Sequence, residues 1–282
     1  MTATGAGAAP HPLAERARQF LGIIAGWIAA LGRPARIALS AMPFIIERQR
    51  LRVGAIAVVM LVIVAMVWLD AVTIGAVARL PNWINETYND LTDYGRSTWF
   101  LWPSGLLVLL MAAAYTRAAT RMSQLVLTAI AVRSGFVFLA IGIPGLIDTI
   151  SKRWIGRVRP SQFGPFAYHP LSWNSAYASL PSGHTAAAFS ALVAIGSLFP
   201  RLRPLLWVYA VTIAMSRVII AAHFLSDVIA GAAVGAFGAV LVRQWFAARR
   251  LGFYLDGEGK VRALRGPSLQ RLKKLVRAVA EG

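Results

Sequence analysis

Residues 97–116 read STWFLWPSGLLVLLMAAAYT, without a single charged side chain. A bilayer core about 30 Å thick is crossed by about 20 apolar residues rising 1.5 Å each, so this stretch has the length and composition of a membrane-spanning helix. The pattern repeats on either side. Toward the N-terminus, 53–69 is uncharged throughout, and toward the C-terminus, 122–147 is interrupted only by Arg133. The stretches 185–200, 204–222 (broken only by Arg217) and 228–242 follow. The expectation is an all-α polytopic membrane protein with six transmembrane helices at about 53–78, 97–116, 123–147, 184–200, 204–222 and 226–247. Composition agrees, with 57% hydrophobic and 14% charged residues against roughly 25% charged in a soluble domain. A soluble enzyme, a disordered chain and a β-barrel are excluded.

The formal net charge of +18 comes from 29 Lys and Arg, which stand at the ends of the apolar stretches and form no patch on a folded domain. Topology and anionic lipid account for them better than nucleic acid does. With the N-terminus placed in the cytoplasm, the basic residues fall mostly inside. Those left outside are Arg79, Arg96, Lys152, Arg153, Arg157, Arg159 and Arg217, with Arg133 lying mid-span. That bias follows the positive-inside rule, predicting both termini inside and the long segment 148–183 outside. Positions 1–17 lack the order of a signal peptide, so the first span is expected to act as an uncleaved anchor. The runs 20–31 and 37–46, separated by Arg33, Pro34 and Arg36, are too short to cross and read as interfacial helices. The segment 249–282 reads as a basic surface helix on anionic lipid. Cysteine is absent, which excludes disulfides and thiolate chemistry.

Outer segments should be poor in Lys and Arg, yet Lys152, Arg153, Arg157 and Arg159 lie together, followed by Pro160. Pro181-Ser182-Gly183-His184 opens the fourth span. Ser216-Arg217 ends the fifth, and His223 and Asp227 begin the sixth. Three elements distant in sequence thus bring Lys, Arg, Ser and two His to one membrane level. A helix opening on Ser182 and Gly183 offers free N–H groups and a positive dipole end to an anion. Lys152, Arg159 and Arg217 can neutralise phosphate. His223 and Asp227, four apart, share a helix face, where a carboxylate on one imidazole nitrogen raises the nucleophilicity of the other. His184 is suited to protonating a leaving oxygen. Together these parts make a phosphoryl-transfer site that needs no metal and no cofactor.

Lys152-x6-Arg159-Pro160, Pro181-Ser182-Gly183-His184 and Ser216-Arg217-x5-His223-x3-Asp227 together resemble the three-part signature of the type 2 phosphatidic acid phosphatase (PAP2) superfamily, in its order and without a departure. The resemblance implies a metal-independent integral-membrane lipid phosphatase. His223, oriented by Asp227, attacks phosphorus to form a phosphohistidine; His184 protonates the leaving oxygen and later activates water; Lys152, Arg159, Ser182, Gly183 and Arg217 hold the phosphate. A six-span PAP2-like domain over 51–248 is expected, flanked by an interfacial segment 1–50 and a basic tail 249–282. The expected setting is a bacterial inner membrane, with the site facing the exterior. Candidate substrates are phosphatidic acid, phosphatidylglycerol phosphate, undecaprenyl pyrophosphate and a lipid A phosphate. A lipid-to-lipid phosphotransferase using the same site is the alternative, and a lipid or anion transporter a remote one; the sequence does not specify an oligomeric state.

Other residues invite roles without fixing them. Arg133 sits mid-span, where a charge is a functional suspect, with Asp70 and Asp148 as possible partners. Trp83, Tyr88, Tyr94 and Trp99 in 81–99 suggest an interfacial belt. Trp154, Phe163, Phe166, Tyr168 and Trp173 lie where they can cap the site, and His11 and His169 are assigned to tail and loop.

Overall fold

The computed structural model describes residues 12–35, 42–118, 120–161 and 166–280. The run 37–46 lies largely outside them, and His11 and Phe163 entirely. The chain folds as ten α-helices with one short hairpin among the described residues. Helix α1 is Pro12–Leu31, a continuous helix whose Trp27 meets Tyr115 edge-on at 6.1 Å. Helix α2, Met42–Val64, passes through a π-helical turn, Ala65–Leu69, into α3, Asp70–Val77. Segment 81–99 is mostly helical: α4 is Asn82–Thr92, followed by a 3-10 turn at Asp93–Gly95. Its alternation of Trp83, Tyr88 and Leu91 with polar residues gives it two unlike faces.

Helices α5 (Thr98–Tyr115), α6 (Arg121–Ile155), α7 (Gly183–Leu198), α8 (Arg203–Ile219) and α9 (Leu225–Ala248) make the bundle. Thr120 caps α6 by accepting the Ser123 N–H at 3.2 Å. Lys152 and Arg153 in the last turn suit the negative dipole end of the same helix. Five helical stretches are long and apolar enough to cross a membrane: Gln49–Val77, Asn82–Tyr115, Arg121–Ile155, Pro200–Ile219 and Leu225–Ala248. The fourth expected span, at 184–200, is the helix Gly183–Leu198 of 16 residues, below the range of about 17–25 for a spanning helix. It is the central helix, packed on α6, α8 and α9, with ten of its residues buried where α5 buries two. The outer helices carry lipid-suited surface instead: Val59, Met60, Trp102 and Leu106 are all more than half exposed.

Arg133 pairs with neither Asp70 nor Asp148. Its guanidinium donates to Ala129 O at 2.8 Å and to Leu264 O at 2.7 Å, so the chain beyond α9 folds back to satisfy it. Strands β1 (Phe253–Leu255) and β2 (Val261–Ala263) form an antiparallel hairpin there. Phe253 is buried, with its ring 4.6 Å from that of Phe136. Helix α10, Leu269–Ala280, lays Leu272 and Leu275 on Val126 and Leu127 of α6.

Candidate active site

The site forms at one end of the bundle, where α6 and α8 end and α7 and α9 begin. The chain leaves α6 through Gly156, whose φ of +64° is left-handed. A Cβ there would collide with the His169 carbonyl, and the His169 N–H is donated to Gly156 O at 2.7 Å. Residues 157–159 then run between two neighbouring segments. Val158 N donates to Ala167 O, Arg159 N to Ala176 O, and Ser179 N to Arg157 O, each at 3.0 Å.

Lys152, in the last turn of α6, pairs with buried Asp148 at 2.6 Å. A Cβ on Gly183 would lie 2.9 Å from Asp148 Oδ2 and 3.1 Å from Lys152 Nζ. The ammonium therefore sits against the first turn of α7, where backbone N–H groups lack intrahelical partners. Ser182 is fully buried. Its N–H donates to Asp227 O at 3.0 Å, and its hydroxyl accepts from the Thr185 hydroxyl at 3.1 Å. In this structure its N–H ties the start of α7 to α9, and its hydroxyl stays within the first turn of α7.

Arg217 is buried in the last turn of α8. Its Nη1 donates to Thr92 Oγ1 at 2.7 Å, while Nε is buried with no partner among the described residues. Such a donor is suited to an oxyanion. Three residues beyond Thr92, a Cβ on Gly95 would lie 3.2 Å from His184 Cδ2, so the 3-10 turn after α4 lies against this imidazole. Arg159, half-buried, donates through Nε to Ser175 O at 3.0 Å, and its Nη1 lies 3.5 Å from Ala222 O. Burial holds its pKa below the usual guanidinium value.

Between α8 and α9 the backbone turns at Ala221, φ +49°, and the N–H groups of Ala222 and His223 both donate to Arg217 O at 3.1 Å. His223 is buried. Its Nδ1 donates to the Ser179 carbonyl at 2.8 Å, while Asp227 Oδ2 stands 3.8 Å away. The orientation expected from Asp227 is therefore delivered by Ser179. The same residue's hydroxyl donates to Asp227 Oδ2 at 2.6 Å. With only acceptors facing Nδ1, the proton resides there and Nε2 keeps its lone pair. Burial lowers the His223 pKa to about 4, opposed by the Asp227 carboxylate and assisted by Arg217 and Arg159. At neutral pH the imidazole is uncharged.

The four clustered cations have different surroundings. Arg153 lies toward the surface, its guanidinium on the Trp173 carbonyl at 2.6 Å and 5.8 Å from that ring's centroid. Arg157 is fully buried. It donates to Asp227 Oδ1 at 2.6 Å, Ser226 Oγ at 2.6 Å and Asp70 Oδ2 at 2.7 Å, and lies 4.2 Å from the Phe224 ring. Nothing in the sequence marks Thr92 or Ser179. Asp70 does carry a signal: it is the sole acid in the apolar stretch Gln49–Val77.

The arrangement groups Lys152, Arg159 and Arg217 around the start of α7 and the buried, oriented imidazole of His223, in a bundle with bilayer-length helices. The chain resembles several known proteins. Residues 133–251 match the PAP2 superfamily. Over 201 residues the chain is 35% identical to the lipid A 1-phosphatase of Rhizobium johnstonii, covering 70% of this chain and 82% of that one. It is 29% identical over 177 residues to phosphatidylglycerophosphatase B of Bacillus subtilis, covering 59% of this chain and 77% of that one. The crystal structure of a transmembrane PAP2-type phosphatidylglycerolphosphate phosphatase from Bacillus subtilis is similar over 80% of this chain and 95% of that one, at 21% identity and a TM-score of 0.43. The chain belongs to the PAP2 superfamily. It is a membrane-integral phosphoester hydrolase of the lipid phosphatase type.

Proposed function

We propose that the protein removes a phosphate from the headgroup of an amphiphilic lipid through a phosphohistidine on His223, with the 1-phosphate of lipid A as first substrate. The observation that carries this reading is the buried His223, its Nδ1 proton committed to Ser179 O at 2.8 Å and its Nε2 left with a lone pair. Lys152, Arg159, Arg217 and the first-turn N–H groups of Gly183 and His184 hold the phosphate oxygens. His223 Nε2 attacks phosphorus. The N–P bond forms, the bond from phosphorus to the lipid oxygen breaks, and its electron pair leaves on that oxygen, which takes a proton from His184. In the second half, His184 takes a proton from water, the oxygen attacks phosphorus, and the N–P electron pair returns to Nε2 as phosphate departs. Cations and helix dipole oppose the charge that builds on the transferring group.

The similarity to the Rhizobium lipid A 1-phosphatases, at 35% and 34% identity, supports the choice of substrate. Phosphatidylglycerol phosphate is the second reading, favoured by the Bacillus relative. The distribution of basic residues supports placing both termini in the cytoplasm and the site at the outer face of a bacterial inner membrane. Anionic lipids are proposed to bind the exposed cations of α10. The test is phosphate release by the purified full-length protein in mixed micelles, with EDTA, across the four candidate lipids and beside His223→Ala. Release led by lipid A 1-phosphate and lost in the variant is expected. No release from any of the four, or full activity in the variant, contradicts the reading.

A further inference from the structure

Arg157 heads the largest fully buried side chains among the described residues, and a guanidinium removed from water needs anions on it. Two carboxylates supply them from opposite sides. Asp70 accepts from Arg157 Nη2 at 2.7 Å, from the Ser226 hydroxyl at 2.6 Å and from the Ser226 N–H at 3.0 Å. Asp227 accepts from Arg157 Nη1 at 2.6 Å, from the Ser179 hydroxyl at 2.6 Å and from the Phe224 N–H at 2.9 Å. Donors surround these oxygens, the arrangement that suits a carboxylate. Two carboxylates around one guanidinium carry a formal surplus of one negative charge, and Asp227 Oδ2 stands 3.8 Å from His223 Nδ1.

Asp70 reaches this place by a local distortion. On the stretch Gln49–Val77 only Ala65 and Asp70 are buried, and they bracket the π-helical turn Ala65–Leu69. A widened turn shifts the helical register, and such turns gather at functional sites. Asp70 lies outside the three-part motif, and Arg157 and Ser226 are among its unspecified positions.

We propose that Asp70, Arg157 and Ser226 are positioning residues for phosphoryl transfer: they fix Asp227, and through Ser179 the ring of His223, and their surplus negative charge favours the positively charged phosphoimidazolium. The proposal rests on the phosphohistidine reading above. When Nε2 bonds to phosphorus, Nδ1 keeps its proton and the ring becomes cationic. A negative charge fixed in a water-free pocket stabilises that state more than the neutral ring preceding it, so it acts on the chemical step and not on lipid binding.

Asp70→Asn keeps the shape and removes the charge, and Ser226→Ala removes the hydroxyl bridging Asp70 and Arg157. Both are made in the full-length protein and assayed in micelles with lipid A 1-phosphate, or with whichever candidate lipid is turned over. Each is expected to lower kcat, and the single-turnover rate of phosphoenzyme formation, by about 10- to 100-fold, the scale for losing a partner that orients a reacting ligand. KM should stay within about twofold, because the interaction acts in the transition state, and thermal unfolding should remain cooperative. Unchanged kcat in a folded variant overturns the proposal. So does a rise in KM with kcat preserved. Failure of both variants to fold makes the cluster a scaffold and overturns it as well. His223→Ala, run in parallel, isolates the underlying reading: turnover surviving there defeats the phosphohistidine, whatever Asp70 does.

Discussion

Gly231→Ala is expected to cripple turnover although residue 231 touches no substrate. Gly231 lies one turn beyond Asp227 on α9, and an added Cβ would press on the Ser182 carbonyl oxygen, with Ser182 N at 3.1 Å and Ser182 C at 3.2 Å. These are backbone atoms, so no side-chain rotation relieves the contact. Ordinary van der Waals separation returns only if α9 retreats from the start of α7 by roughly 1 Å, a displacement that can reduce rate by about 100-fold when reacting groups lose alignment. The movement strains the bond from Ser182 N to Asp227 O, now 3.0 Å, which joins the segment carrying His184 to the one carrying Asp227. The overpacking itself costs about 1–3 kcal/mol. Gly145→Ala is the control, since nothing lies within 4 Å of its added Cβ and alanine favours a helix interior by about 0.5–1 kcal/mol. Steady-state phosphate release and thermal unfolding in detergent read both variants. A Gly231→Ala protein with kcat/KM within about threefold of the parent refutes the geometric reasoning.

Thr92→Val deprives the Arg217 Nη1 of the acceptor it holds at 2.7 Å. KM for the lipid should rise about tenfold, within the roughly 1–3 kcal/mol of an unpaired buried donor, as measured by initial rates across lipid mole fractions. His223, with its pKa lowered to about 4, is protonated and non-nucleophilic only below that value. On this group kcat/KM should stay level from about pH 7 to about pH 5 and fall about tenfold per unit once well below about pH 4. An acid limb near the ordinary imidazole value of about 6.5 speaks against burial of the nucleophile. Phe253→Ala empties a site where the ring lies 4.6 Å from Phe136. Unfolding monitored by circular dichroism in micelles should show a loss of about 3–5 kcal/mol, and unchanged stability would mean that the hairpin is not part of the core.

The site was legible in sequence to the extent that its chemistry demands residue types at fixed spacing. His223, His184, Arg217, Lys152 and Arg159 stand where helix ends bring them together, and helix ends are written in apolar run lengths. Arg157 was not distinguishable from its less buried neighbour Arg153, because its burial depends on Asp70, 87 residues earlier in the chain. Asp227 was expected to orient His223 directly from their four-residue spacing, and the 3.8 Å gap reflects competing donors: Arg157, Ser179 and the Phe224 N–H claim its oxygens first. Ser179 acts partly through a backbone carbonyl, which has no sequence signature. The short hairpin 253–263 escaped a reading tuned to membrane spans, although Asp256-Gly257 between two short apolar runs is a turn signal. Arg133, suspect for its depth, is satisfied by the carbonyls of Ala129 and Leu264, contacts invisible until the tail is placed.

The central claim is a phosphate carried covalently by His223. Rapid quenching of the purified protein with a lipid substrate labelled on its phosphate, followed by peptide mapping, tests it most directly. The predicted result is an acid-labile, alkali-stable label on His223 that forms before free phosphate appears and is absent in His223→Ala. A label on another residue, or single-turnover release that proceeds undiminished in His223→Ala, contradicts it.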